Sequence, residues 1–170
     1  AVVNPAMALA RILATMHDAD GRIAIDGFYD AVRPFPDAVR VGMRALPFSD
    51  EGLMHEVGVS ALGGEPGYTT LERLWTRPTC EVNGLLSGYT GEGAKTVLPA
   101  ISMAKVSFRL VPDQDPDTIV QLVTDHVARH IEIHALEGIP ADGLVKTDQP
   151  LGRDRNDRRA RTHGGKSELH

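Results

Sequence analysis

Residues 105–111 read KVSFRLV, and this alternation of polar and apolar residues decides the fold class. One face of the extended strand carries the apolar side chains Val106, Phe108 and Leu110. The other face carries Ser107 and Arg109. A strand with a single apolar face is typical of an antiparallel sheet that is covered on one side only. The stretch therefore predicts such a strand, ended by Pro112.

Two amphipathic helices are predicted, each with the same start signal. Asn4-Pro5 precedes the first helix and Asp115-Pro116 precedes the second. An Asn or Asp side chain can cap a helix by accepting an orphan backbone N–H, and proline at the first helical position loses no hydrogen bond. The apolar stripes consist of Leu9, Ile12, Leu13 and Met16 in the first helix and Ile119, Leu122, Val123 and Val127 in the second.

Two further strands follow from shorter patterns. The first is indicated by Cys80 and Val82 and is expected to end at the turn residues Asn83-Gly84, ahead of a Gly-rich loop. The last is indicated by Ile131, Ile133 and Ala135. The predicted order is helix, insertion, strand, loop, strand, helix, strand.

The insertion covers residues 17–78, which Gly and Pro divide into short pieces. Residues 37–45 and 50–57 are predicted helices, and residues 70–75 form either a helix or an extended arm. A strand upstream of Ala1 would complete the β-α-β-β-α-β order of a ferredoxin-like fold. We therefore expect an α+β protein: a ferredoxin-like two-layer sandwich, with an antiparallel sheet, two helices on one face, a missing first strand and a long insertion after the first helix.

Composition narrows the class of protein. The chain has 170 residues, a net charge of −5 and one cysteine, Cys80, which excludes an intrachain disulfide and a cysteine-based zinc cluster. No apolar run reaches the ~20 residues of a membrane span and no signal peptide is recognisable, so we expect a cytoplasmic protein. Residues 151–170 hold six Lys or Arg and three Asp or Glu, a local net charge of +3. With little apolar periodicity, these residues are expected to be disordered or to form an altered, cut-short end of the domain.

Several strings of the sequence resemble one family. They are Asn4-Pro5, Gly27-Phe28-Tyr29-Asp30, LWTRPT at 74–79, VNG at 82–84, GYTGEGAKTVLPA at 88–100 and AKVSFRLVP at 104–112. Together they are similar to the lid, or dimerisation, domain of carnosinase-type dipeptidases. These enzymes belong to the zinc aminoacylase superfamily, with acetylornithine deacetylase and succinyl-diaminopimelate desuccinylase. On this resemblance, residues 1–140 are a peptidase lid domain and residues 141–170 are a truncated or divergent return segment.

The resemblance implies a role in a zinc metallopeptidase that hydrolyses an amide bond in a dipeptide or an N-acyl amino acid. In that family the zinc ligands lie outside the lid. The chain contains neither a His-x-Asp nor a Glu-Glu pair, so we expect no zinc, no catalytic residue and no activity in this fragment alone. The implied partner is a second copy of the chain, paired through the lid, and neither nucleic acid nor membrane is expected as a partner.

Three residues are candidates for substrate binding: Arg109, Thr96 and Asn83. By resemblance, Arg109 binds the carboxylate of the substrate's C-terminal residue, which suits a guanidinium because it grips a carboxylate with two hydrogen bonds and keeps its charge. Its alternative is an ion pair with a surface acid. Thr96 is implied to reach the partner's active site, or its hydroxyl bonds local backbone. Asn83 is expected to orient the Gly-rich loop or to support the substrate pocket, or it is a plain turn residue.

Other side chains leave alternatives open. His126 and His130 are spaced to bind a transition metal or to form a wet helix edge, and the metalloprotease pattern needs Glu where Val127 stands. Lys95 pairs with an acid, helps to bind an anion or is solvated. Tyr68 and Tyr89 line a pocket entrance or pack in their loops.

The rival function is a stand-alone ferredoxin-like module for small-molecule sensing or interaction, without catalysis. An RNA-binding version is disfavoured because such modules stack bases on aromatic residues of their central strands. Here the strands offer only Phe108, on the face predicted to be buried.

Overall fold

The computed structural model describes residues 3–132. Its elements in chain order are α1 (Pro5–Ala14), α2 (Asp37–Arg44), α3 (Asp50–Val57), α4 (Thr70–Thr76), β1 (Thr79–Ser87), β2 (Ser102–Arg109) and α5 (Pro116–Glu132). β1 and β2 pair antiparallel as a two-stranded sheet, so the described residues form a mixed α+β domain as predicted. None of the described helices is long and apolar enough to cross a membrane.

The helix predictions are confirmed. Asn4 Oδ1 accepts from the backbone N–H of Ala6 at 2.9 Å, directly before α1, and Asp115 Oδ2 accepts from the N–H of Thr118 at 2.9 Å at the start of α5. The segment 70–75 belongs to a helix, α4, rather than to an extended arm. A capping box explains this outcome, because the Thr69 side chain and the Glu72 side chain each accept from the other's backbone N–H.

The predicted end of the first strand is wrong. β1 does not end at Asn83-Gly84 but continues to Ser87. Val82 pairs with Val106 and Gly84 with Lys105, so Asn83 is an extra, unpaired residue. A β-bulge absorbs one residue and lets the ladder continue. The Asn-Gly pair therefore marks a bulge here rather than a turn.

The last predicted strand is wrong at its first residue. Ile131 lies in α5, which extends through Glu132. The side chain of Ile131 is buried. The other two residues of that prediction, and the boundary at residue 140 with the segment after it, lie outside the described residues. β2 is confirmed with shifted ends, because it begins at Ser102 and stops at Arg109 rather than at Pro112. Its burial alternates along its length as the sequence predicts.

The core lies between α1, α5 and the inner face of the β1–β2 hairpin. Its buried members are Met16, Ile23, Ile25, Phe28, Cys80, Ile119 and Val123, with Leu13, Val106, Phe108, Leu110, Leu122 and Val127 packed against them. The first part of the predicted insertion therefore belongs to the core, which its sequence pattern did not indicate. Gly27 makes the sharp approach to Phe28 possible, because its φ of 77° favours glycine and a Cβ there would lie 3.4 Å from a Leu122 methyl.

Candidate functional site

Arg109 is the last residue of β2 and lies opposite Thr79 at the end of the ladder. Its side chain is exposed on the open face of the sheet, as predicted. Nη1 donates to the carbonyl oxygen of Leu74 in α4 at 3.0 Å. No ion pair of Arg109 occurs among residues 3–132.

The Leu74 carbonyl is free to accept because of the way α4 ends. In an α-helix the carbonyl of residue 74 would bond to the N–H of residue 78. Residue 78 is a proline and has no N–H. Arg77, between them, is already extended, with φ −111° and ψ 143°. The guanidinium of Arg109 therefore satisfies a carbonyl that the helix leaves without a partner.

The N-terminal part of α4 is held by Glu72, whose side chain is 1% exposed. Arg40 Nε donates to Glu72 Oε1 at 2.9 Å, and Arg44 Nε lies 3.5 Å from the same oxygen. Glu72 Oε2 also accepts from the backbone N–H of Thr69 at 2.7 Å. The hydrogen bond from Arg40 and then that from Thr69 lower the pKa of Glu72 to about 2. The carboxylate thus stays charged and ties α2 to α4.

The chain directly after α4 is held by Arg77, which is buried. Its Nε and Nη2 donate to the two oxygens of Glu65 at 2.7 and 2.8 Å. Its guanidinium also lies over the rings of Tyr68 and Tyr29, 4.5 and 5.2 Å from their centroids. Arg40 lies over the Tyr68 ring as well, at 5.3 Å. Tyr68 thus contacts both Arg40 and Arg77, the two arginines that hold α4 in place.

Asn83 and Thr96 lie farther along the hairpin. Asn83 is exposed in the β1 bulge, four residues from the Thr79–Arg109 pair. The far end of the ladder, at Ser102, is seven residues from Arg109, or about 24 Å along the strand. Thr96 is exposed in the loop attached to that far end, and its hydroxyl makes no hydrogen bond within the described chain. No hydrogen bond joins any two of the three candidates.

Tyr89 makes contacts within the loop between the two strands. Its hydroxyl donates to the carbonyl oxygen of Glu92 at 2.9 Å, and Lys95 Nζ lies 5.2 Å from the ring centroid. Tyr89 and Lys95 thus contact each other within the loop that carries Thr96.

The far half of the hairpin exposes large apolar side chains on both faces. Leu85, opposite Ala104, and Leu86, opposite Met103, alternate between the two faces and are 64% and 58% exposed. Ile101, just before β2, is 78% exposed. Loop residues Val97 and Leu98 are exposed as well. Exposed apolar side chains this close together are typical of a protein–protein contact.

His126 and His130 do not form a wet helix edge. His126 is 3% exposed between α5 and α1, and its Nε2 lies 2.9 Å from Thr15 Oγ1. Because that hydroxyl already donates to the Ile12 carbonyl at 2.7 Å, Nε2 carries the hydrogen and donates to it. His130 stacks on His126 at a centroid distance of 4.2 Å, and its Nδ1 donates to the His126 carbonyl at 2.7 Å.

Acidification should destabilise the domain through His126. Burial, followed by the charges of His130 and Arg129, lowers the pKa of His126 below its usual 6.5. The unfolded state therefore binds a proton first, so the free energy of unfolding should fall as pH drops below about 6.5. In urea unfolding at pH 7 and pH 5.5, His126→Gln should show a smaller decline than the unmodified chain. A decline of the same size in both would contradict this assignment, and His55→Gln on α3 is the control.

No cluster in the described part of the chain suits a metal ion. Within residues 3–132 no group of three or more His, Cys, Asp and Glu side chains is placed to hold one. Cys80 is buried, and burial raises the pKa of its thiol to about 11. The described residues of this site therefore offer no set of ligands that fits zinc.

Sequence comparison identifies relatives over most of the chain. The family described as "Peptidase dimerisation domain" matches residues 1–135. The Cys-Gly metallodipeptidase of Saccharomyces cerevisiae is 30% identical over 125 residues, which cover 74% of this chain and 26% of that protein. The chain thus spans about a quarter of the length of the curated relatives it matches.

Solved structures agree with this match. A metallo-carboxypeptidase of the M20 family from Sulfolobus solfataricus is 39% identical with a TM-score of 0.68, over 76% of this chain and 34% of that one. Human carnosine dipeptidase 1 is 25% identical with a TM-score of 0.71, over 78% and 28%. Each similarity covers a minor part of a larger peptidase.

Proposed function

The chain belongs to the family of M20 peptidase dimerisation domains, and from this premise we propose that it is the substrate-binding lid of a zinc-dependent dipeptidase or deacylase. The relatives are metallopeptidases, which supports a hydrolase as the parent protein. The lid would hold the substrate's carboxylate and pair two subunits while the parent hydrolyses an amide bond. The single observation that carries the proposal is the geometry of Arg109.

Arg109 presents an unused edge to solvent. Its Nη1 donates to Leu74, whereas Nε and Nη2 make no hydrogen bond with residues 3–132. These two nitrogens share one edge of the planar guanidinium, which matches the two oxygens of a carboxylate. Since the side chain is exposed, a substrate can reach that edge. We therefore assign Arg109 to the C-terminal carboxylate of a dipeptide or an N-acyl amino acid.

Thr96 would act on the substrate of the neighbouring subunit. Its loop is attached to the opposite end of the hairpin from Arg109, which favours an arrangement in which one substrate meets Arg109 of one chain and Thr96 of another. The exposed hydroxyl makes no hydrogen bond to local backbone in the described residues, so it is free for such a contact. Asn83 is exposed in the bulge between these two ends, and in this proposal it supports the substrate pocket.

The partner would be a second copy of the chain. The exposed apolar residues on both faces of the hairpin end, Leu85, Leu86, Ile101 and Met103, offer the surface. Removing such side chains from water contributes roughly 25 cal/mol per Å² of apolar surface, and this gain has to exceed the entropic cost of association. The same contact would carry the adjacent Thr96 loop toward the partner.

The mass of the chain in solution tests the homodimer. We expect sedimentation to give twice the 18.4 kDa of one chain. Leu86→Lys places an unpaired charge in the contact and should raise the dissociation constant about tenfold or more. Val41→Lys is the matched control, because Val41 is exposed to a similar extent, 65% against 58% for Leu86, but lies on α2. A monomer without any substitution, or an equal effect of both lysines, would contradict the proposed surface.

The remaining parts of the proposal concern the fold and the parent. Within residues 3–132, α1 and α5 pack on the inner face of the hairpin, and side chains on the outer face of β2 are exposed. This arrangement supports the ferredoxin-like two-layer sandwich that we propose for residues 1–140. Zinc would be bound by other segments of the parent. A free thiol at Cys80 is compatible with a cytoplasmic parent. The alternative of a stand-alone sensing module is disfavoured because the relatives named above are peptidases.

A further inference from the structure

The residues around α4 point to a relay, by which we mean a chain of contacts that orients the side chain of Arg109. This inference rests on the proposed function of Arg109. We propose that Glu72 is a positioning residue: it fixes α4, and the Leu74 carbonyl of α4 then holds the guanidinium of Arg109 in its binding orientation. Two contacts of α4 carry the proposal. Arg40 donates to Glu72 near the start of the helix, and Arg109 donates to the carbonyl of Leu74 near its end.

α4 needs this anchoring because it is short and buries little apolar surface. It has seven residues, about two turns, and helices of this length are unstable alone. Its buried side chains are Thr70, Leu71, Glu72 and Thr76, of which only Leu71 is apolar. Leu74 and Trp75 are largely exposed. Polar contacts, rather than packing, therefore decide where the helix lies.

Those contacts act at both ends of the helix. At the N-terminal end, Glu72 receives Arg40 and closes the capping box with Thr69. Beyond the C-terminal end, Arg77 forms its two-bond pair with Glu65. The Leu74 carbonyl lies between these two anchors, so its position follows from them.

The link to Leu74 changes what Arg109 can do. An unattached arginine side chain samples many rotamers and loses that freedom when it binds a ligand. Because Nη1 is already held by Leu74, part of this cost is met during folding, and the Nε–Nη2 edge faces the ligand before it arrives. The predicted carboxylate site is thus assembled from three separate segments of the chain.

The order of the Arg109 side chain tests the proposal in the full chain. In ¹⁵N relaxation of arginine Nε–Hε groups, Arg109 should be more ordered than Arg11, which is exposed and makes no side-chain hydrogen bond in the described part of the chain. Glu72→Gln preserves the shape of the side chain but removes its charge, and it should lower the Arg109 order parameter below about 0.6. Affinity for the probe N-acetylglycine should fall roughly threefold to tenfold. Asp26→Asn is the control, because it breaks the exposed Asp26–Arg129 pair, which does not involve α4.

Each result decides the matter. If Glu72→Gln fails to fold, Glu65→Gln tests the same relay, because it weakens the pair with Arg77 beyond the C-terminal end of α4. The comparison of the Arg109 and Arg11 order parameters needs only the unmodified chain. The proposal is overturned if Arg109 is as mobile as Arg11, if its order is unchanged in a folded Glu72→Gln or Glu65→Gln chain, or if Asp26→Asn has the same effect. An ordered Arg109 that responds to Glu72→Gln but binds no N-acetylglycine would support the relay and contradict the proposed carboxylate site.

Discussion

Replacing Arg109 by alanine in the intact parent enzyme should lower kcat/KM by about a hundredfold or more for substrates with a free C-terminal carboxylate. Two hydrogen bonds between charged groups are lost, each of which contributes about 1.5–3 kcal/mol. Both a higher KM and a lower kcat are expected, because the carboxylate also orients the scissile bond. Steady-state kinetics on a dipeptide and on its C-terminal amide measures the effect.

Two comparisons make this result specific. The C-terminal amide lacks the charge that Arg109 binds, so Arg109→Ala should change its hydrolysis little. Lys105→Ala is the matched control, since Lys105 is exposed on the same strand, four residues before Arg109. Equal losses on the dipeptide and its amide, or from both substitutions, would contradict the carboxylate role. Arg109→Lys should be intermediate, because an ammonium keeps the charge but lacks the planar fork.

Replacing Phe28 by alanine should lower the free energy of unfolding by about 3–5 kcal/mol. Phe28 is 1% exposed, and its ring packs against those of Tyr29 and Phe108, with centroid distances of 5.6 and 5.9 Å. Removing it leaves a cavity where the segment after α1 meets β2. Because domains are stable by only about 5–15 kcal/mol, much of the stability would be lost. Urea unfolding measures the change.

A second phenylalanine provides the control for this prediction. Phe48 is 39% exposed, so Phe48→Ala should cost far less than Phe28→Ala. Phe28→Leu keeps most of the volume and should cost about 1.5 kcal/mol. Similar losses from Phe28→Ala and Phe48→Ala would show that the core is not centred on Phe28.

Local signals predicted the helices and part of the hairpin. A cap and a proline mark the starts of α1 and α5, and these signals act within one turn of the chain. The alternation around Phe108 predicted β2 because a strand places successive side chains on opposite faces. Thr69 and Glu72 already form a capping-box pattern in the sequence, so α4 could have been predicted as a helix from that signal.

The errors arose where local and tertiary preferences compete. Asn83-Gly84 has the sequence of a turn, yet the pairing of β1 with β2 continues past it through a bulge. Ile131 alternates with its neighbours, but its side chain also fits the buried face of α5. Ile23, Ile25 and Phe28 belong to the core although their segment is interrupted by glycines, because their side chains pack with those of α1, α5 and the hairpin.

The amino-acid sequence was sufficient to predict an α+β protein, the start of most helices, and the position of Arg109 on an open strand face. The resemblance to peptidase lid domains was also visible in the sequence, because the strings that carry it are contiguous residues. Three contacts became visible only in the folded chain: Arg109 donates to the Leu74 carbonyl, Glu72 is buried between α2 and α4, and His126 bonds to Thr15. These contacts join residues 32 or more positions apart, and the closing of such loops leaves no periodic or local pattern in the sequence.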